Sequence, residues 1–428
     1  MLKTLINAWK IKDIRTKMLY TLILIVIYRL GCFIPVPGVN AEAIAKYATD
    51  YDILSFLNLL SGGSFGQFTI FAMGITPYIT GSIIIQLLTI AIPSLERMAK
   101  EEDGKQKIER ITRYVGIGLA LVQSIGIVIS LGAGVVKDTS FFTYATIGIT
   151  CTAGTAFLVW LGERITEKGI GNGVSFIIFA SICSQVPRVI VSFISGVFVT
   201  NTYQWWILPA LLLIVVVLVA GVVMVDKAVR RISVQYAKKV VGRKMYGGQT
   251  SHIPLKANAN GVMPLILAMT IIQFPTMIIQ IADPNYLTNI AEASAFTRFY
   301  ANYLSQGTVV YYLIYALLIL GFAYFYTTIT FNPVEISKNL QQNGGFIPGI
   351  RPGRPTSDYL AKITSRLTLF GAVFLMCIAI IPAVVMHSFG LNSMFGPTSI
   401  LIMVSVALET SEQLESLMLM RHYKGFLG

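Results

Sequence analysis

This sequence contains unusually few charged residues. Only 12% of its 428 residues are Asp, Glu, Lys or Arg, and 55% are hydrophobic. Ordinary soluble domains carry about 25% charged residues, so this composition excludes a soluble globular protein. The sequence predicts an integral membrane protein.

Cysteine and histidine are also scarce. The cysteines are isolated in or beside apolar segments and form no CxxC pair: Cys32, Cys151, Cys183 and Cys377. Neither a disulfide framework nor a zinc site is therefore indicated. The three histidines are scattered, and there is no Walker A sequence. The sequence supports no catalytic residue, no metal ligand and no cofactor site.

Carboxylates are nearly missing from the apolar segments, and those that occur lie at segment ends, such as Glu163 and Glu409. Ion-coupled transporters and membrane hydrolases usually need acidic or histidine side chains in mid-membrane. This weighs against a proton-coupled transporter and against a membrane enzyme. An ion-coupled secondary transporter with inverted repeats stays open as the alternative function, because such folds also contain broken helices.

The longest charge-free stretch, residues 53–95, organises the rest of the chain. Its 43 residues exceed the about 20 that one transmembrane helix needs. Residues 61–67 read S-G-G-S-F-G-Q, and irregular backbone at membrane depth must be covered by protein or line a water-filled cavity. We predict a half-helix over 53–60, an inward-folded break, and a full helix over 74–92. A membrane scaffold without a pathway would instead expose the break to solvent.

Ten apolar spans follow from the hydropathy. They are residues 18–35, the broken stretch, 114–136, 143–162, 174–199, 205–225, 261–282, 308–329, and two within 367–408 separated by a turn at 387–397. Lys46, Lys137 and Arg298 fall in loops on one side, and Arg29 and Arg188 fall inside spans. All other Lys and Arg residues share the opposite side, which the positive-inside rule makes cytoplasmic.

Three segments outside the spans have patterns of their own. Residues 1–17 are basic and amphipathic, which is typical of a helix on the cytoplasmic membrane surface. Residues 226–256 are strongly basic, and the alternation of Ile232, Val234 and Tyr236 predicts a β-hairpin there. Residues 331–362 are rich in proline and glycine and are predicted to form a loop.

The chain also contains an internal repeat. Residues 74–79 read G-I-T-P-Y-I and residues 261–266 read G-V-M-P-L-I, and I-I-Q follows at the same offset in both. Five spans separate the two copies, so their helices point in opposite directions, as inverted repeats do. We predict two halves, residues 1–200 and 201–428, with a hinge near residues 199–205.

A pathway would run between these halves. Ile75 and Ile79 lie four residues apart on one helical face, as do Val174 and Ile178, and Ile266 occupies the matching place in the repeat. A ring of branched aliphatic side chains would exclude water and ions by dewetting. Any single isoleucine is more often explained by helix packing or lipid contact.

Several motifs make the chain similar to the SecY family of bacterial protein-translocation channels. They are residues 61–88, G-I-G-N-G at 169–173, P-L-K at 254–256 followed by Asn258 and Gly261, F-N-P at 331–333, and F-I-P-G-I-R-P-G at 346–353. The motifs cover nearly the whole chain. The resemblance implies an all-α membrane protein with ten transmembrane helices in two inverted-repeat halves. Spans 1–5 and 6–10 would form a clamshell around a central hourglass pore with a plug half-helix.

The resemblance also implies functional residues. The pore ring would consist of Ile75, Ile79, Val174, Ile178, Ile266 and Ile402. The plug, about residues 55–69, would include Ser61, Gly62, Gly63, Ser64, Phe65 and Gly66. The lateral gate between spans 2 and 7 would include Thr80, Gln86, Gln273 and Phe274. The cytoplasmic loops, about residues 226–258 and 331–362, would contact a motor or ribosome through Arg243, Lys244 and Arg351.

The implied activity is passage of unfolded, signal-sequence-bearing preproteins across the bacterial plasma membrane, with sideways release of apolar segments into membrane lipid. Since the chain has no nucleotide-binding motif, the SecA ATPase or a ribosome would supply the energy. SecE and SecG would be membrane partners, and no sequence-specific nucleic acid is expected. The protein would be multi-pass with both termini in the cytoplasm.

Overall fold

The fold is a bundle of long helices with one small sheet. The computed structural model describes residues 2–40, 43–44, 58, 61–101, 104–131, 135–136, 138, 140–198, 204–236, 239–241, 244–246, 250–258, 261–282, 294–304, 308–388 and 397–424. Apart from Asn58, the predicted half-helix over 53–60 lies outside these residues, as does Arg243.

The first five predicted spans form one group of helices. The helices are α1 (Leu2–Lys10), α2 (Lys12–Gly31), α3 (Thr76–Ala91), α4 (Pro93–Lys100), α5 (Gly104–Leu131), α6 (Phe141–Lys168) and α7 (Gly173–Phe198). α5 packs against α3 and α6, and α6 packs against α2 and α7. The prediction placed the start of α2 six residues too late, because hydropathy marks the apolar part of a helix and not its charged first turns.

The other five spans form a second group. Its helices are α8 (Ile207–Asp226), α9 (Met263–Ala282), α10 (Ala295–Tyr303), α11 (Val309–Thr330), α12 (Pro333–Gln342), α13 (Arg354–Ser388) and α14 (Pro397–Lys424). α11 packs against α9 and α13, and α8 packs against α14. Between the groups, α14 contacts α7 and α9 contacts α5. The division at residue 200 remains a prediction, and this packing agrees with it.

Within the residues that the structure describes, each of the ten predicted spans contains a helix of 16 residues or more. Within the described part of the chain, six helices are long and apolar enough to cross a membrane by themselves, or seven if α3 and α4, which bend by 106°, count as one span. α9 is apolar over a shorter stretch, Met263–Thr276. α2 and α14 each carry charged residues along part of their length.

The two loops that were predicted to be cytoplasmic, about residues 226–258 and 331–362, fold together. β1 (Val229–Tyr236) pairs antiparallel with β4 (Thr250–Lys256), which confirms the predicted hairpin, and β2 (Lys239–Val241) pairs with β3 (Lys244–Tyr246) between them. β5 (Gly345–Phe346) adds to the free edge of β1. Buried side chains from both loops form one cluster under this sheet: Ile232, Val234, Leu255, Leu340, Ile347, Leu360 and Ile363.

The prediction of a plain loop over residues 331–362 was therefore wrong. This segment contains α12, β5 and the first turns of α13. Asn332 caps α12, since its side-chain oxygen accepts a hydrogen bond from the Glu335 amide at 3.4 Å, and Pro333 occupies the first helical position, where it costs no hydrogen bond. The proline and glycine content that suggested a loop marks the ends of these elements.

The two repeat copies begin with the same backbone geometry. Gly74 and Gly261 both have φ of 58°, a left-handed conformation that glycine adopts without strain. In each copy, the amides four and five residues after the glycine donate to the carbonyl one residue after it, at 3.1 Å. This match supports the inverted repeat independently of the sequence pattern.

α3 and α5 approach closely through two glycines. A Cβ atom on Gly81 would lie 2.9 Å from the Gly116 amide nitrogen, and one on Gly116 would lie 2.9 Å from Cα of Tyr78. In a membrane, helix association depends on such close packing because lipid is as apolar as the side chains. A Cβ on Gly118 would meet no atom within 4 Å.

We expect Gly116→Ala to lower the free energy of unfolding by about 1–3 kcal/mol, because the added methyl group must push two helix backbones apart. Gly118→Ala is the matched control on the same helix, and it should be neutral or stabilise by up to about 1 kcal/mol through helix propensity. Thermal unfolding in detergent measures both. Equal effects of the two substitutions would show that the close approach of α3 and α5 at Gly116 does not contribute to the free energy of unfolding.

Candidate functional site

The six predicted ring residues meet in one hydrophobic cluster. Three are buried and three are half-buried against them: Ile75, Ile178 and Ile402, then Ile79, Val174 and Ile266. They come from α3 and α7 of the first group and from α9 and α14 of the second. The cluster therefore lies where the two groups of helices meet.

Each contributing helix places its ring residues near its N-terminus. Ile75 directly precedes α3 and Ile79 lies in its first turn, while Val174 and Ile178 lie in the first two turns of α7. The spacing of four residues puts each pair on one face, which is why the sequence pattern found them. Ile402 was indicated only by the family resemblance, although Val406 lies four residues further on and is buried in the same cluster.

A cavity of about 380 Å³ adjoins the ring. Ile178, Ile266 and Ile402 line one part of it, and the rest of the lining is mixed. Val262, Met263, Val406 and Leu408 are apolar, and the polar lining residues are Ser175, Asp226, Lys256, Asn258, Tyr326, Thr330, Ser405, Glu409 and Glu412. We call this cavity the vestibule. The aliphatic ring thus borders a space that contains charged and polar side chains.

Polar contacts in the vestibule join the sheet to α14. Lys256, the last residue of β4, donates to Glu412 of α14 at 2.6 Å. Asp226 at the end of α8 accepts from Asn258 at 2.9 Å and from Ser405 of α14 at 3.1 Å. α14 also carries Ile402, so these contacts connect the sheet to the ring.

The glycine-rich break is buried within the protein. Residues 61–66 are all buried, and only Gln67 is exposed. Hence the scaffold hypothesis, in which the break faces solvent, is contradicted. Local turn bonds satisfy the Ser64 and Phe65 carbonyls, which accept from the Thr69 and Phe68 amides at 3.0 Å. Side chains of α2 provide donors for the Ser61 and Gly62 carbonyls.

Glycine is required for this close approach. Gly62 and Gly63 have φ of 68° and 89°, which other residues rarely adopt. A Cβ on Gly62 would lie 3.1 Å from Cα of Ser181, and one on Gly63 would lie 2.5 Å from Nε2 of Gln185. Two adjacent glycines therefore let the backbone lie directly against α7.

The chain after the glycines is held on the first group of helices. Phe65 and Phe68 are fully buried in a cluster with residues of α5 and α6. The Val36 amide donates to the Phe68 carbonyl and the Ile70 amide to the Ile34 carbonyl, both at 3.0 Å. Phe68 has φ of 43°, a strained value that these surroundings must enforce.

The predicted lateral-gate residues have mixed environments. Thr80 is buried and donates to a carbonyl within its own helix at 3.1 Å, whereas Gln86 is exposed and its amide reaches Ser82 at 3.4 Å. Gln273 is half-buried, and Phe274 is 42% exposed. On this side α9 packs against α5. The predicted gate contained only spans 2 and 7, and no motif indicated that α5 takes part.

Arg351 is exposed on a well-defined turn. The Thr356 hydroxyl donates to the Arg351 carbonyl at 2.8 Å, and Gly353 has φ of 97°. Lys244 is the first residue of β3 in the same folded unit. The turn holds a guanidinium group at the surface, in a shape fixed by backbone contacts.

Comparison with known proteins is consistent along the whole chain. Residues 69–411 match the SecY family. "Protein translocase subunit SecY" of Thermotoga maritima is 40% identical over 440 residues, covering 98% of this chain and 96% of that protein. Two solved structures each cover 94% of this chain and 91% of the other. One concerns the plug domain of SecY (TM-score 0.61, 19% identity). The other is Sec61 in the canine ribosome-channel complex (TM-score 0.58, 18% identity).

We expect Ile178→Asn to raise the ion conductance of resting channels in planar bilayers, because an amide side chain lets water wet the constriction. Ile178→Val keeps a branched aliphatic side chain and should conduct like the parent. Ile190→Asn, at an exposed position of α7, controls for an amide elsewhere on that helix. Unchanged conductance of Ile178→Asn would count against the ring.

Proposed function

Because the chain belongs to the SecY family, we propose that its two halves enclose a protein-conducting channel of the plasma membrane, which passes unfolded secretory preproteins. One observation carries the proposal: aliphatic residues from four helices, two in each half, meet beside a vestibule that contains charged and polar side chains. Such a constriction blocks water and ions yet offers no strong binding site that would retain a moving polypeptide.

Two barriers close the channel at rest. The ring excludes water by dewetting, and residues 61–66 act as a plug seated on α2 and α7. Support for the plug comes from its burial here and from the similar structure described as stabilising the closed state and maintaining a membrane seal. Opening requires that the ring widen and the plug leave, after which the aliphatic collar fits loosely around an extended chain.

Sideways release follows from the weak contact between the halves. A signal sequence enters between α3 and α9, where Gln86 and Phe274 are exposed and no charged pair must be broken among the gate residues named above. Apolar segments of the substrate then partition into lipid, since each Leu, Ile or Val favours the bilayer by about 0.3–0.6 kcal/mol. Separation of α9 from α5 forms part of the same opening.

Docking takes place on the cytoplasmic sheet and its turn. Arg351, Lys244 and Arg243 provide cationic contacts for the SecA motor or a ribosome, and the similar canine structure is a ribosome-channel complex. SecE and SecG complete the channel in the membrane. The chain acts as a channel subunit and not as an enzyme, and the positive-inside rule places both termini in the cytoplasm.

An ion-coupled transporter remains the competing function, because carboxylates line the vestibule. The Asp226 carboxylate, however, is hydrogen-bonded to Asn258 and Ser405, which suits a structural role better than ion exchange. A solute-flux assay separates the two functions, since a transporter accumulates solute in the absence of any preprotein.

Site-specific crosslinking tests the channel directly. A photo-crosslinker at Ile178 should label a preprotein stalled during transport, because an extended chain must pass within contact distance of the ring. The same group at Ile190, exposed on α7, should label lipid instead. Equal labelling of the preprotein from both positions, or none from Ile178, would contradict a path through the ring.

We expect Arg351→Glu to abolish motor-driven translocation while the protein level and melting temperature stay unchanged, because the side chain is exposed and the turn is held by backbone contacts. Lys338→Glu, an exposed charge reversal on α12, is the control and should transport normally. Uptake into proteoliposomes with purified motor measures both variants. Normal uptake by Arg351→Glu would remove this residue from the docking surface.

A further inference from the structure

A chain of hydrogen bonds joins the plug to two helices of the first half. The Tyr28 hydroxyl lies 3.2 Å from the Ser61 carbonyl oxygen and 2.6 Å from Oγ of Ser181. Each hydroxyl has one proton to give. The Ser181 hydroxyl also lies 2.8 Å from the Ile177 carbonyl oxygen. In the arrangement in which Tyr28 donates to Ser61, Ser181 gives its single proton to Tyr28 over the shorter 2.6 Å contact and not to Ile177. Bonds arranged in series polarise one another, so α7, α2 and the plug are linked as one unit.

Arg29, the next residue, holds the next carbonyl. Its Nη1 donates to the Gly62 oxygen at 3.1 Å, and its guanidinium carbon lies 5.9 Å from the centre of the Phe33 ring. The Ser184 hydroxyl also lies 3.5 Å from that oxygen but only 2.6 Å from the Ser181 carbonyl, so its proton goes to Ser181. Arg29 is thus the principal donor to Gly62.

The position of Arg29 in the sequence also has a simpler explanation. It lies in the last turn of α2, where the helix dipole favours a cation and a long side chain can reach the headgroups. A residue with only that role would direct its guanidinium outward. Here the group turns to the plug backbone, and an ionisable residue inside a span commonly marks a function.

We propose that Tyr28, Ser181 and Arg29 form a latch on the plug and thereby set how strong a signal sequence must be to open the channel. The proposal rests on the proposed function of residues 61–66 as the plug. When the plug leaves, two carbonyls and their donors lose their partners. Leaving such buried groups unpaired is costly, so the latch favours the closed state.

The latch belongs to one half only. Its donors lie on α2 and α7, which pack in the first group of helices, whereas the ring draws on both groups. Separation of the halves therefore opens the ring without breaking the latch. Release of the plug is a second, separable step, in which the moving substrate or a shift of α2 against α7 must displace the hydrogen bonds.

Three substitutions test the latch in the purified channel with its membrane partners. Tyr28→Phe, Ser181→Ala and Arg29→Met each remove one donor, and each should raise the resting conductance by about three- to ten-fold, the effect of one lost hydrogen bond. Transport of a preprotein with a shortened signal sequence should rise in parallel. Ser181→Ala removes a single oxygen and keeps the test valid if a larger change prevents folding.

Matched controls make the same chemical changes nearby. Tyr20→Phe on α2 and Ser192→Ala on α7 remove hydroxyl groups from half-buried positions of the same helices. Arg188→Met removes another cation close to the plug, since a Cβ on Gly63 would lie 3.5 Å from its Nη1. All three controls should behave like the parent. An equal rise for Arg188→Met would show that general charge, and not the hydrogen bond, holds the plug.

Deletion of residues 61–66 separates failure of the latch from failure of the plug. If the deletion raises conductance while the three latch variants match their controls, the latch is rejected and the plug stands. If the deletion itself changes neither conductance nor transport, the plug function is wrong. The double variant Tyr28→Phe/Ser181→Ala should conduct no more than the stronger single variant, because both act through one chain of bonds. Additive effects would reject that chain.

Discussion

The requirement that every backbone group at membrane depth find a hydrogen-bond partner governs this structure. Residues 61–75 are not helical, so their amides and carbonyls cannot satisfy one another as a transmembrane helix does. Turns within the segment pair some of these groups, such as the Thr69 amide with the Ser64 carbonyl at 3.0 Å. Neighbouring segments supply further partners: Tyr28 and Arg29 for two carbonyls, and residues 34–36 for the chain near Phe68. An irregular segment can lie inside a membrane protein only because its neighbours supply hydrogen-bond partners to its backbone groups.

This irregular segment determines where the ring is. Because the chain returns inward before α3 starts, Ile75 lies at the junction of plug and helix, and Ile79 lies one turn further on. In the proposed function, two barriers of different physical character are thus adjacent in sequence. The ring would exclude water through its aliphatic surfaces, whereas the plug would be held by directional hydrogen bonds. The ring draws on both groups of helices, and the plug contacts described here come from the first group.

In the proposed function, the vestibule provides a physical route from docking to opening. The turn that presents Arg351 belongs to the same folded unit as β4, and Lys256 and Asn258 at the end of β4 link to α8 and α14 through Glu412 and Asp226. α14 in turn contributes Ile402 to the ring. A partner that shifts the sheet therefore moves a wall of the constriction without touching it.

Charge scarcity, helical spacing and the paired glycines determined by themselves that the chain spans a membrane, that isoleucine pairs share a helical face, and that the break turns inward. These are local properties, written within one helix or one turn. Only the tertiary structure decided that Tyr28 meets Ser181, 153 residues away, that α9 packs against α5, and that β5 joins the two loops into one unit. Such contacts depend on how whole helices pack in three dimensions. A periodic sequence pattern shows which face of its own helix a residue occupies, but it does not show which distant helix packs against that face.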